Sequence, residues 1–261
     1  TAGQVGPVEE AGGRSARIAA AVGVPPEKAL PAGVPKMKKP LTIPRGKAAA
    51  LFVDLQEEHR RDPRYLVDGY EAILANAARL QQAARGMAAP VLHCAYIVDL
   101  ASARPFHPVM ADGTSAFSDR SDPLTALCPE SGPADGEAAL IKAEASAFGD
   151  GRLEPLLRGF GVEWLFVSGV WTEACVDATV KDAVTRGFHV VLVKDACGSG
   201  TAAMHRTGIL NLANRLYGGA VVDTDAACRL LAGEAAEAWM VVGSVPLRYQ
   251  ADTIDALYEE L

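Results

Sequence analysis

From residue 48 onward the chain alternates short, unbroken apolar runs with stretches in which apolar residues recur at helical spacing. The runs cover residues 48–53, 90–96, 140–141, 164–170, 189–193 and 220–222. Apolar runs this short, without alternating polar positions, fit strands buried on both faces of a sheet. Between them, residues 67–85 set Ile73, Leu74, Ala77, Ala78 and Leu80 near one helical face. Residues 152–160, 172–186, 202–216 and 225–231 continue the series, with Gly161, Gly187 and Gly218 standing where a glycine stops a helix. Strand and helix in steady alternation predict an α/β fold: a mostly parallel central sheet of Rossmann-like topology in a three-layer α/β/α arrangement.

Three segments break the rhythm. Residues 1–45 are rich in Gly, Ala and Pro, and Pro25, Pro26, Pro31, Pro35, Pro40 and Pro44 leave room for a helix only at 15–22. They read as an N-terminal arm, either loosely ordered or lying along a partner subunit. Residues 97–136 carry Pro105, Pro108, Pro123, Pro129 and Pro133 and no sustained period. An irregular insertion of that length in a compact domain is usually functional, so it is expected to cover the site. The tail from 234 to 261 holds one apolar run at 240–245 and a final helix from 251, and reads as an extension of a core domain spanning 46–233.

Composition narrows the classes. Of 261 residues, 49% are hydrophobic and 22% charged, which excludes disorder over the whole length. No apolar run reaches the roughly 18–20 residues of a membrane span. Nor does the N-terminus show the apolar stretch of a secretory signal, so no membrane partner is expected. Lys plus Arg total 25 against 32 for Asp plus Glu, a net charge of −7, and no basic block offers phosphates a footing, so no nucleic-acid partner is expected. Five cysteines without a CxxC pair argue against a disulfide framework or a thiolate zinc site and point to a reducing, cytoplasmic setting.

In a parallel sheet, ligands bind beyond the carboxyl ends of the strands. The residues there are Asp54, Lys142, the segment 171–175, Asp195 and Asp223. Cys175 falls within the first turn of a helix that Thr172 could cap, where partial positive charge favours a thiolate and free N–H groups could hold an oxyanion. Read alone, Cys175 could equally be a small buried hydrophobe, Asp54 a turn cap and Lys142 a solvated lysine. Cys94, Cys128, Cys197 and Cys228 carry only the bland reading. Gly198-Ser199-Gly200-Thr201-Ala202-Ala203 matches G-x-G-x-x-A, with Asp223 downstream. Four residues separate it from the end of its strand, however, and the strand is a late one, so no dinucleotide cofactor is expected. A G-x-S-x-G elbow is absent from the sequence.

Three separated motifs carry a resemblance. Asp54-Leu55-Gln56 follows the first long strand, Lys142 precedes Ser146-Ala147-Phe148, and the run from Gly169 to Val176 reads Gly-Val-Trp-Thr-Glu-Ala-Cys-Val, followed by Lys194-Asp195-Ala196 and His205. Together they resemble the isochorismatase-like hydrolase superfamily in its cysteine-hydrolase branch, over residues 47–231. The resemblance implies a triad of Asp54, Lys142 and Cys175, and a cis peptide between Val170 and Trp171 that aims the Trp171 N–H, with that of Cys175, at an oxyanion. It implies hydrolysis of a small amide, ureido or carbamoyl substrate through a thioester. Motif position and strand ends nominate Gln56, Tyr96, Phe148, Trp171 and His205 for the substrate pocket. The metal-binding histidines of the nicotinamidase branch have no counterpart around 92–99, so no metal is expected, with His93 and His107 the residues that would argue otherwise. Relatives of this kind form dimers or tetramers, which would give the arm and the tail a role in assembly. The rival readings are an isochorismatase-type hydrolase of another bond and a member that only binds a metabolite or a protein.

Overall fold

A computed structural model describes residues 38–241 and 247–261. Its centre is an eight-stranded sheet of β1 (Lys38–Leu41), β2 (Ala48–Val53), β3 (Val91–Tyr96), β4 (Ala138–Lys142), β5 (Trp164–Val170), β6 (His189–Gly198), β7 (Ala220–Val222) and β8 (Ala236–Trp239). The spatial order is β1-β8-β7-β6-β5-β2-β3-β4. Strands β2 to β7 pair in parallel, and only the β7–β8 and β8–β1 pairs are antiparallel. The helices are α1 (Glu58–Arg61), α2 (Tyr70–Gly86), α3 (Leu153–Gly159), α4 (Asp177–Thr185), α5 (Ala202–Ala213), α6 (Thr224–Leu231) and α7 (Ile254–Glu260).

Every residue of β2 and β3 is buried. Successive side chains of a strand point to opposite faces, so one apolar run feeds two cores. Leu51, Val53, Leu165, Val167, Val190 and Leu192 join the core beneath α3, α4 and α5. Ala50, Phe52, Phe166, Val191 and Val193 join the one beneath α2 and α6. These are the three expected layers. At the centre, Val53 pairs with Gly169. A Cβ on Gly169, whose φ is +126°, would stand 2.0 Å from the Val53 carbonyl oxygen, so only glycine lets the two strands meet there.

The chain ends depart from expectation. β1 lies inside the segment read as an arm, and β8 lies just ahead of the apolar run at 240–245. Of that run only Met240 and Val241 are described, and neither is in a strand; the helix expected at 15–22 falls outside the described residues. β1 reads Lys-Lys-Pro-Leu and β8 Ala-Glu-Ala-Trp, so neither forms an apolar run. β1 is a short edge strand, where lysine and proline are tolerated because one row of backbone groups needs no partner, and β8 is the short strand beside it. Leu261, buried, and the partly buried Ile254, Leu257 and Tyr258 bring α7 onto the α5 core. β8 and α7 are therefore built into the fold. Among the described residues no helix is long and apolar enough to cross a membrane.

Candidate active site

The carboxyl ends of β2, β3 and β5 open on one cavity of about 230 Å³, with Lys142 at the end of β4 just behind its wall. Asp54 follows β2 with φ +53°, a left-handed conformation that Asp accepts more readily than most residues. Its N–H donates to the Cys94 carbonyl at 2.9 Å, and its own carbonyl accepts from the Gln56 N–H at 2.9 Å, so the side chain is aimed by backbone alone. Lys142, the last residue of β4, places Nζ 2.7 Å from Asp54 Oδ2, with both side chains almost wholly buried. The ion pair occupies Oδ2 and leaves Oδ1 free of a well-angled hydrogen bond. Lys142 also donates to the Glu144 carbonyl at 3.1 Å and lies 4.5 Å from the centre of the Tyr96 ring. Burial is the strongest single influence and works against its ammonium, but the Asp54 carboxylate and the nearby Cys175 and Cys94 sulfurs together outweigh it and hold the pKa above the ordinary lysine value.

Cys175 completes the group. The Val170–Trp171 peptide is cis, as the resemblance implies. It leads into a π-helical turn, Thr172–Val176, and only then into α4. The Trp171 carbonyl accepts the N–H groups of Ala174 at 2.9 Å and Val176 at 3.2 Å, the residues on either side of Cys175. The thiol is within hydrogen-bonding reach of both Asp54 and Lys142. Burial, and then the Asp54 charge, push its pKa up to about 12. This corrects the expectation of a thiolate at rest. The positive charge nearest the sulfur is already matched by Asp54, and the site is too dry to ionise the thiol unaided. Thr172 does not cap the turn with its side chain either. Its hydroxyl donates to the Gly198 carbonyl at 2.9 Å.

Of the five nominated pocket residues, Tyr96 and Trp171 line the cavity. Gln56, Phe148 and His205 do not. The Gln56 side chain is fully buried: its amide donates to the carbonyls of Tyr96 at 3.0 Å and Thr125 at 2.9 Å and accepts the Tyr96 N–H at 2.8 Å. It pins the 97–136 insertion to the sheet and has no group left for a substrate. Phe148 is a core side chain, 2% exposed and 6.1 Å from the Phe188 ring. His205 faces a separate cavity with Asp195 and Tyr258. Thr172 Oγ1, whose proton goes to Gly198, accepts from His205 Nδ1 at 2.8 Å, which leaves Nε2 to accept from Tyr258 Oη at 3.1 Å. Burial lowers the His205 pKa to about 4 and keeps the ring neutral.

The sequence reading missed much of the wall. Glu58, His59, Tyr65, Arg104, Phe117 and Ser118 all line the cavity. The last three come from the insertion, which therefore does cover the site. Glu58 is buried, accepts the Ser118 hydroxyl at 2.6 Å, and is pushed by burial up to about 7. The Trp171 indole N–H donates to His59 Nδ1 at 3.3 Å, and burial holds His59 below the usual histidine range. The only sequence signal of Glu58 and His59 was closeness to Asp54.

The glycine-rich hexapeptide has a packing explanation. A Cβ on Gly198 would sit 2.2 Å from Ile73 Cδ1, and one on Gly200 2.8 Å from the Trp171 ring. His93 is buried against Phe52, with Nε2 3.4 Å from Glu137, and His107 contacts Ser115 Oγ at 2.7 Å; neither lines the cavity. Among the described residues the one trio able to converge on a metal is Glu57, Cys128 and Glu130. Arg60 already ion-pairs both carboxylates.

Known proteins share this architecture and sequence. A cysteine hydrolase from Pseudomonas syringae pv. phaseolicola superposes with a TM-score of 0.66, at 22% identity, over 74% of this chain and 95% of its own, a likeness of fold. An isochorismatase family protein from Desulfovibrio vulgaris superposes with a TM-score of 0.65 at 27% identity, over 71% of this chain and 98% of its own. A maleamate amidohydrolase from Pseudomonas putida is 32% identical over 157 residues, 57% of this chain and 73% of that protein. An N-carbamoylsarcosine amidase from Arthrobacter is 27% identical over 167 residues, 62% of each chain. The family model of the isochorismatase domain matches residues 48–226, from the first residue of β2 into α6. That span contains Asp54, Lys142, Cys175 and the cis peptide, and by it the chain belongs to the isochorismatase family.

Proposed function

We propose that this protein is a cysteine-dependent amidohydrolase that cleaves the C–N bond of a small amide, ureido or carbamoyl substrate. The observation that carries the reading is the convergence of the Cys175 thiol and the buried, Lys142-paired Asp54 carboxylate at the wall of one cavity. A carboxylate so placed can take the thiol proton as sulfur attacks, which answers the high resting pKa. The amidase and amidohydrolase names of the relatives support the same reaction class.

In this mechanism the Cys175 S–H proton passes to Asp54 while the sulfur adds to the amide carbonyl carbon. The N–H groups of Trp171 and Cys175 take the oxyanion. Asp54 returns the proton to the leaving nitrogen, the C–N bond breaks, and ammonia or an amine departs from a thioester. A water molecule then gives its proton to Asp54 and adds to the thioester carbonyl. The C–S bond breaks, the acid product leaves, and the sulfur recovers its proton from Asp54. Lys142 keeps the carboxylate ionised and in place, and its charge offsets the negative charge that crosses from Asp54 to sulfur.

The test is ammonia release from a panel of small carboxamides, ureido acids and carbamoyl amino acids. The wild-type protein should turn over at least one class. Cys175→Ala and Asp54→Asn should each lower its rate by roughly a thousandfold or more, since groups that act as a unit fail together. Equal release by wild type and Cys175→Ala would reject the cysteine mechanism.

A further inference from the structure

Glu58 is an acid at the site that the reaction described above does not use. It follows Asp54 by four residues, at the start of α1, and is 4% exposed. It lines the cavity together with Asp54 and Cys175. Its carboxyl group, and not only its stem, stands among the groups of the wall. Oε1 accepts the Ser118 hydroxyl at 2.6 Å and lies 3.8 Å from His59 Nε2, and Ser118 and His59 both line the cavity.

The surroundings favour the uncharged acid. Among the described residues no lysine or arginine pairs with Glu58. Lys142 at the end of β4 is matched by Asp54, Arg60 on α1 by Glu57 and Glu130, and Arg64 by Asp62. Arg104 on the insertion shares the cavity but forms no ion pair with it. His59 is held neutral by burial, and the Cys175 thiol keeps its proton. Glu58 and Ser118 also border a second cavity, whose wall includes the carboxyl groups of Asp62, Asp112, Asp119 and Asp122. Burial, with the charges of Asp54 and Asp122 behind it, outweighs the Ser118 hydrogen bonds and raises the Glu58 pKa to about 7. A protonated carboxyl group has one donor to place. The Ser118 hydroxyl occupies Oε1, so Oε2 is the oxygen left to carry the proton.

We propose that Glu58 works as an uncharged acid that donates a hydrogen bond to a carbonyl oxygen of the substrate other than the one under attack. The bond that is cleaved rests on the amidohydrolase reading; the donor does not. In that reading the attacked oxygen belongs to the Trp171 and Cys175 N–H groups, so Glu58 meets a second acceptor. The acceptor is neutral, because a carboxylate there would set another negative charge beside Asp54 in a dry cavity. The substrate class is therefore small amides with a second neutral carbonyl, diamides being the simplest. The cavity, at about 230 Å³, lies below the ~300–1,000 Å³ typical of drug-sized pockets and admits only a short molecule.

Succinamide carries the second carbonyl and butanamide lacks it at nearly the same length. Their kcat/KM ratio is measured from about pH 5.5 to 8.5 in wild type, Glu58→Gln and Glu58→Ala; titration of the triad cancels in the ratio. Wild type should prefer succinamide about tenfold below pH 7, the worth of one hydrogen bond, and lose the preference as Glu58 ionises above it. Glu58→Gln keeps an N–H donor, so its preference should persist at every pH; Glu58→Ala should show none. A merely structural role for Glu58 would not give the ratio a pH dependence that Gln abolishes. A wild-type ratio that is flat with pH, or that rises as Glu58 ionises, overturns the proposal. The same comparison is made without turnover, from the concentration of each amide that halves Cys175 alkylation by iodoacetamide, read by peptide mass spectrometry. If no amide is hydrolysed yet succinamide protects better than butanamide with this pH dependence, the amidohydrolase reading fails and the donor stands. If amides are hydrolysed without the preference, the donor fails alone. Neither turnover nor differential protection overturns both.

Discussion

Glu58 shows how a residue acquires chemistry that its sequence position does not announce. An acid in the first turn of a short helix reads as a solvated charge. The insertion covers it, Ser118 bonds to it, and burial raises its pKa from 4.5 to about 7. The folded chain therefore binds the Glu58 proton more tightly than the unfolded chain does. Its contribution to stability is fully present below about pH 4.5 and is lost as pH rises through about 7. A shift of that size corresponds to at most about 3 kcal/mol between pH 4.5 and 8. Glu58→Gln removes this titration while keeping an acceptor for Ser118. Urea unfolding at pH 5 and pH 8 should show the variant gaining on wild type by roughly 1–3 kcal/mol at the higher pH. Parallel pH profiles would mean that Glu58 is ionised at neutral pH. Cys175, Asp54, Lys142, Tyr96 and Trp171 were legible because each stands at a strand end or motif position, whereas Gln56, Phe148 and His205 share that mark and turn out to brace backbone and core.

At the scale of elements, Cys175, the proposed nucleophile, sits on a π turn that several parts of the chain hold in place. Thr172 bonds to the end of β6, His205 on α5 bonds to Thr172, and Tyr258 on α7 bonds to His205. The C-terminal helix, which sequence placed outside the domain, thus reaches the turn carrying Cys175 through two side chains. Tyr258→Phe removes the last link and leaves His205 Nε2 without its donor. The expected loss is about 1 kcal/mol in urea unfolding, with His205→Ala costing more because it also strands Thr172. A Tyr258→Phe variant as stable as wild type would show that the chain of bonds does not hold the turn. The long helices and buried strands were readable because their period is set by burial. The π turn was not, because Thr172-Glu173-Ala174-Cys175-Val176 has the composition of an ordinary helix start, and its partners lie far away in sequence.

Over the whole molecule, the physics that made the fold legible also marks where legibility ends. Strands buried on both faces must be apolar throughout, so β2, β3 and β5 declare themselves and fix the parallel centre. The strands at the β1 edge, β1 and β8, carry mixed sequences and emerge only from their pairing. The site was legible to the extent that it hangs on the centre, and illegible where the 97–136 insertion closes over it, because that segment has no period to read. The account as a whole stands on the convergence of three distant residues into one reacting group, and a thioester on Cys175 tests that convergence most directly. Substrate should be mixed with excess wild-type protein, quenched in acid within milliseconds to seconds, and the intact mass measured. The predicted result is a transient gain equal to the acyl group, located on the Cys175 peptide, prolonged when water attack is slowed and absent in Cys175→Ala. Turnover without any such adduct, or an adduct on another residue, would contradict the account.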